Sequence, residues 1–250
     1  MLSKATVKYV NALQVKKYRN QHQAFVVEGA KSVLELLNSD FELQHLFITD
    51  EFLQEHGNRL GKGTRYELVT EQELTKAGTF SSNNAGLAVA RMRQLPALQF
   101  KPGDFTIALD DVRDPGNLGT IIRIADWYGI QTIVCSESCA DFYNPKTISA
   151  TMGSFTRVKA YYLNLGEWLR ELPGSIPIYG ASLEGENLHR IQLQPQGVVV
   201  MGNEANGIRP EVASEVNQLI KIPAFGKAES LNVATATAII IDNFMRHAGA

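Results

Sequence analysis

Phe105-Thr-Ile-Ala-Leu109 runs directly into Asp110-Asp-Val-Arg-Asp-Pro-Gly-Asn117-Leu-Gly-Thr-Ile-Ile-Arg123. The first stretch is apolar and partly β-branched, as a strand covered on both faces must be; a polar, glycine-bearing turn follows, then a run over Gly119–Tyr128 that reads as a helix. Outward from this unit the pattern repeats. Thr132–Cys135, Ile176–Tyr179, Val198–Met201 and Leu219–Ile222 are further short apolar runs, and Leu231–Arg246 reads as a closing helix. Upstream, Ala24–Val27, Leu43–Ile48 and Leu87–Ala90 read as strands and Ala30–Leu37 as a helix entered from Gly29. Short buried strands alternating with helices predict an α/β fold in both halves, with a parallel sheet in the second. Gln94–Asp104 holds two prolines and a glycine between these regular segments, so the expected division is 1–95, a linker over 96–104, and 105–250.

Composition narrows the function classes. The chain has 250 residues, 44% hydrophobic and 20% charged, which excludes wholesale disorder. No apolar stretch approaches the roughly 20 residues needed to span a bilayer, and the N-terminus lacks the apolar segment of a secretory signal. With only Cys135 and Cys139, a disulfide framework is not expected and a reducing cytoplasm is. The formal net charge of -2 argues at first against a nucleic-acid partner. The distribution argues otherwise, because residues 1–93 carry a net positive charge and residues from 101 onward a net negative one. Lys4, Lys8, Lys16, Lys17, Arg19 and Lys31 face a single acid, Glu28, over the leading segment. Val7, Val10, Leu13 and Val15 fall among those cations at near-helical spacing, so from charge alone an ordinary amphipathic helix with a solvated basic face is the favoured reading.

Common catalytic signatures are missing. Gly61-Lys-Gly63 lacks the third glycine of a dinucleotide fingerprint, and Gly202-Asn-Glu-Ala-Asn-Gly207 continues as Ile208-Arg209 where a phosphate loop needs Lys-Ser/Thr. His22, His45, His56, His189 and His247 form no metal-ligand pattern, and Cys135 with Cys139 lacks a second ligand pair, so no metal is expected.

Three segments remain, each where an apolar run ends and polar residues cluster, which is where open α/β sheets bind ligands. They are Asp110–Arg123, Gly202–Pro210, and Pro223–Val233 with Ser230-Leu-Asn-Val233 at its end. Their glycines allow tight turns and close approach of a ligand to backbone groups. Asn117 and Ser230 could instead be helix N-caps, Asn206-Gly207 a turn and Arg123 a surface charge. Three such loops in one half-chain together favour a site.

In order and spacing these segments resemble the three signature motifs of the SpoU (TrmH-type) RNA ribose 2′-O-methyltransferases of the SPOUT superfamily. Asp114–Arg123 resembles the first, Met201–Ile208 the second, and Ile222-Pro-Ala with Ser230–Val233 the third. Tyr143-Asn-Pro-Lys, Ser149–Ser154 and Gly180–Gly185 agree as well. The first half resembles the family's L30e-like substrate-binding domain through Lys16-Lys-Tyr-Arg19 and Phe25-Val-Val-Glu-Gly29. Departures are Ile124 and Ala234 where the family often has Thr and Ser, and Ser82-Asn-Asn-Ala-Gly86 in place of a Thr-Pro turn.

The resemblance implies methyl transfer from S-adenosylmethionine to a ribose 2′-hydroxyl of RNA, with ribosomal RNA favoured over transfer RNA. It implies a trefoil knot in the C-terminal domain and a homodimer packed through it. By resemblance Arg123 is the candidate proton acceptor. Guanidinium groups stay protonated in proteins, so the plainer role is holding the RNA phosphate and stabilising a developing alkoxide while water takes the proton. Asn117, Glu204, Ser230 and Asn232 are the matching positions around it, with Glu204 expected to orient Arg123 and Ser230 and Asn232 to hydrogen-bond at the reacting centre. Ala181, Met201, Gly202, Ile222 and Leu231 are the cofactor candidates. Lys4, Lys16, Lys17 and Arg19 are the RNA-docking candidates. A catalytically silent RNA-binding protein of the same fold is the rival from another class, disfavoured by the intact motif residues, and a nucleotide-dependent oxidoreductase is disfavoured by the missing glycine fingerprint.

Overall fold

The computed structural model describes residues 1–246, which form two compact units. The first unit combines Met1–Gln94 with Asp141–Thr156; the second combines Leu95–Ala140 with the chain from Arg157 onward. In chain order the elements are α1 (Lys4–Ala12), α2 (Lys16–His22), β1 (Ala24–Glu28), α3 (Ala30–Leu37), β2 (Leu43–Ile48), α4 (Asp50–His56), β3 (Glu67–Leu68), α5 (Glu71–Ala77) and β4 (Gly86–Arg91). There follow β5 (Phe105–Leu109), α6 (Pro115–Trp127), β6 (Thr132–Ser136), α7 (Pro145–Ala150), β7 (Lys159–Leu163), α8 (Leu165–Glu171), β8 (Ile178–Asn187), β9 (Gly197–Met201), α9 (Pro210–Ala213), β10 (Gln218–Lys221) and α10 (Val233–Met245).

The first unit is built on a sheet in the order β1-β4-β2-β3, antiparallel except for β2 with β3. Because side chains alternate across a strand, the sheet has two distinct faces. Val26, Phe47, Leu87 and Val89 turn to one of them, where Val10 and Leu13 from the leading segment and Leu74 and Ala77 from α5 complete a core. Phe25 turns to the other and meets Phe41, Tyr143 and Phe155 at ring separations of 5.3, 4.6 and 6.0 Å. Tyr143 and Phe155 come from 141–156, so this segment of the second half fills the core of the first unit. Glu28, buried to 6% exposure, accepts from the Thr79 and Phe80 amides and the Thr79 hydroxyl, which closes the turn ahead of β4.

The cationic leading segment breaks at Leu13–Val15 into α1 and α2. Lys4, Lys16 and Lys17 are exposed. Arg19 corrects the expectation: it is 1% exposed. Its Nη1 donates to the carbonyls of Leu13 and Gln14 at 2.9 and 2.8 Å, and its Nη2 to Asp141 Oδ2 at 2.5 Å. The guanidinium satisfies the carbonyls of the break between the two helices, so it is not offered to phosphate.

The second unit holds a six-stranded sheet, β10-β8-β9-β5-β6-β7, parallel at every pairing. β9 is buried at every position, as its unbroken apolar run requires. Leu165, Leu169 and Val212 cover one part of the sheet with Ala108, Val134, Val198 and Val200, and Leu98 and Phe100 of the Pro-rich segment pack onto the same core. The Ile176–Tyr179 run begins a longer strand than the sequence predicts, because β8 continues to Asn187 past a register shift. Gly180 faces Leu219 whereas Glu186 faces Ile220, so residues 181–185 arch out of the ladder. At the foot of that arch a Cβ on Gly185 would lie 2.5 Å from the Ile220 amide nitrogen, a spacing only glycine permits.

Candidate functional site

The three polar loops predicted from the sequence follow β5, β9 and β10, which neighbour one another through β8 at the same end of a parallel sheet. Buried polar bonds lock the first loop to the second. Asp110, fully buried, accepts from Arg209 Nε at 2.9 Å, Nη2 at 2.6 Å and the Arg209 amide at 2.8 Å. This pairing holds the Arg209 guanidinium more firmly protonated than usual. Asn203 Nδ2 donates to the Asp111 carbonyl at 2.9 Å, and the Arg113 guanidinium beside Asp111 lowers that carboxyl below its ordinary range. Cys139 supports the same turn, accepting from the Val112 amide and donating to the Leu109 carbonyl. Asp110, Asn203, Arg209 and Cys139 were missed as site-building residues; a double acid directly after an apolar strand is the signal that could have found Asp110.

Within the second loop Asn203 and Gly207 exchange backbone hydrogen bonds at 3.0 and 2.9 Å, with Gly207 at φ +68. Gly202 lies against this closed turn, where a Cβ would sit 2.3 Å from the Gly207 carbonyl carbon. Gly202→Ala is therefore expected to displace the loop, weakening cofactor binding at least about tenfold and lowering the melting temperature. Calorimetry and thermal unfolding of the variant check both effects.

The arch of β8 and the second and third loops enclose a pocket of about 750 Å³, within the range typical of small-molecule sites. Ala181, Met201, Gly202, Ile222 and Leu231, the five cofactor candidates, all line it, as do Glu204 and Ser230. Its walls are mainly apolar side chains and loop backbone, with Glu184, Glu204 and Glu229 supplying carboxylates. This composition fits S-adenosylmethionine, whose adenosine needs apolar walls and backbone partners and whose sulfonium and ammonium groups are cationic. Among the described residues no cluster of His, Cys, Asp and Glu could hold a metal ion.

At the pocket edge the three loops are joined by a directed chain of side-chain bonds. Asn232 caps α10 by accepting from the Ala234 and Thr235 amides, and its Nδ2 donates to Asn117 Oδ1 at 2.9 Å. Asn117 Nδ2 in turn donates to Glu204 Oε1 at 2.5 Å. The direction is forced, since a carboxylate only accepts and each amide has one donating and one accepting end. Of the predicted caps, α6 is capped by Asp114 and α10 by Asn232, not by Asn117 and Ser230.

The structure does not bring Glu204 to Arg123. Six positions further along α6, Arg123 points about 120° around the axis from Asn117. It is exposed, on one helical face with Thr120 and the 83%-exposed Trp127, and it makes no hydrogen bond or ion pair among the described residues.

Residues 104–242 match the SpoU rRNA Methylase family, and residues 4–85 match an MRM3-like substrate binding domain. The 23S rRNA (guanosine(2553)-2′-O)-methyltransferase RlmP of Bacillus subtilis is 28% identical over 94% of this chain and 94% of its own length. A solved TrmH-family protein from Porphyromonas gingivalis is 35% identical, covers 98% of this chain and 99% of its own, and superposes with a TM-score of 0.85. The AdoMet-bound rRNA methyltransferase from Sinorhizobium meliloti is 30% identical, with a TM-score of 0.86 over 100% of this chain and 97% of its own. Three motif loops at one end of a parallel sheet, and a family match across more than half of the sequence, lead to one assignment: the chain belongs to the SpoU rRNA methylase family.

Proposed function

We propose that this protein transfers a methyl group from S-adenosylmethionine to a ribose 2′-hydroxyl of ribosomal RNA. The observation that carries the reading is the Asn232–Asn117–Glu204 chain, which joins the three loops at the edge of the pocket. When bound, S-adenosylmethionine supplies an electrophilic methyl group. The chain's own residues must do the rest: place the hydroxyl, stabilise its oxygen as the proton leaves, and keep the loops in register. Ala181, Met201, Gly202, Ile222 and Leu231 hold the cofactor. Asn117 and Asn232 fix Glu204 at the rim, and Ser230 offers a hydroxyl on the same wall. Arg123 is the cation for the ribose phosphate and the developing alkoxide. The family resemblance implies that it serves the site of a second copy, and its placement away from Glu204 in its own protomer supports that reading. Thr120, Arg123 and Trp127 then belong to a homodimer interface of the C-terminal unit.

The trefoil knot of the C-terminal unit is part of this reading, as the family resemblance implies. Lys4, Lys16 and Lys17 dock RNA from the first unit, and the site of action is the cytoplasm; no described helix is long and apolar enough to cross a membrane.

Labelled-methyl transfer into total RNA from a strain lacking this gene tests the reading. Label in 23S ribosomal RNA at an alkali-resistant linkage is the expected result. Label in transfer RNA would transfer the activity to that substrate, and label in protein or no transfer with intact cofactor binding would overturn the reading.

A further inference from the structure

Four rings from three elements run from the core of the first unit to its surface. Phe47, fully buried, lies parallel to His45 at 5.9 Å with an interplanar angle of 7°. His45 and Tyr9 meet in a T-shaped contact at 6.0 Å and 69°, and Tyr9 and His22 in another at 5.2 Å and 87°. Tyr9 is half-buried against the core while His22 and His45 are exposed. The cluster is therefore anchored below and open above. The Tyr9 hydroxyl donates to Gln44 Oε1 at 3.3 Å, which leaves the Gln44 amide nitrogen as a donor beside the rings.

Cations flank these rings along the chain. Lys8 precedes Tyr9 on α1, and Lys16 and Lys17 open the helix that ends at His22. On β4, Val89 is the register partner of His45, and Arg91 follows on the same face, paired at 3.3 Å to Glu42, the nearby acid. We infer that Tyr9, His22 and His45 form a stacking platform for an unpaired base of the RNA substrate. This rests on the RNA-docking reading of the first unit and specifies the form of RNA it takes. A duplex buries its base faces within its own stack and would use only the lysines, whereas preset, solvent-facing rings reward a base that is already unstacked.

The test uses the full-length protein with two probes: a short single-stranded RNA carrying 2-aminopurine and an RNA hairpin stem of matched charge. His22→Ala/His45→Ala should weaken the single strand about tenfold or more, abolish the 2-aminopurine quenching, and leave the stem and S-adenosylmethionine affinities unchanged. His45→Phe, which retains a ring, should restore most of the quenching. Equal loss on both probes, or no loss on either, overturns the platform. Lys4→Glu/Lys16→Glu/Lys17→Glu separates the two levels. If it leaves RNA binding intact, the docking reading itself fails. If it weakens binding while the histidine variant does not, only the stacking platform fails.

Discussion

Arg123→Ala is expected to lower kcat by about 10²- to 10³-fold, the effect of removing one preorganised charge from a developing oxyanion, while the dissociation constant for S-adenosylmethionine stays within about twofold. The separation follows from placement: Arg123 lies outside the lining of the cofactor pocket and makes no bond to the loops that shape it. Arg123→Lys distinguishes its two possible roles. A stabilising cation is replaced in part by ammonium, so some activity returns and the pH–rate profile keeps its shape. A direct base replaced by lysine would move the rising limb of the profile, so an unmoved limb sinks that version. Mixed dimers test the partner assignment. In a heterodimer of Arg123→Ala with Asn117→Ala, a trans-acting arginine leaves one site with both residues intact, and activity returns relative to either homodimer. If each arginine serves its own protomer, both sites stay damaged and nothing returns.

These outcomes also mark how far the sequence could be read. The strands of the parallel sheet were legible because burial on both faces leaves an uninterrupted apolar run, as in Gly197–Met201. β7 was not, since Lys159 and Tyr162 are exposed along an edge strand and break the run. The loops that line the pocket were found from strand ends and glycines, yet the pairing of Asn117 with Glu204 was not, because residues so distant in the chain meet only through the strand order. Glu204 was expected on Arg123 for the same reason. Motif membership puts both near one site but does not say which side of α6 each residue faces, and the helical repeat turns Arg123 away. Nor does a linear division show that 141–156 completes the aromatic core around Phe25.

Arg19 is the case in which charge misled, and it sets the largest stability effect expected. Lys16-Lys-Tyr-Arg19 reads as one cationic patch, but α2 turns its fourth residue inward. The Arg19–Asp141 pair is sequestered, with side-chain exposures of 2% and 16%, and two carbonyls depend on the same guanidinium. Arg19→Met should therefore cost about 2–4 kcal/mol, since it leaves the helix-break carbonyls unpaired and takes the ion-pair partner from the half-buried Asp141, whose other oxygen keeps the Tyr143 amide. Asp141→Asn should cost less, because the amide keeps an acceptor for Nη2. In the double variant the penalties should sum to less than the two singles, the sign of a direct coupling, and equilibrium urea unfolding of all four proteins measures it. Lys17→Ala, two positions away on α2 but exposed, serves as the control and should stay within about 0.5 kcal/mol of the parent. RNA affinity completes the discrimination. An Arg19→Met protein that keeps its stability but loses RNA binding would return Arg19 to the docking surface, whereas lost stability with unchanged RNA affinity in the folded fraction makes it the strut that ties α2 to the 141–156 segment.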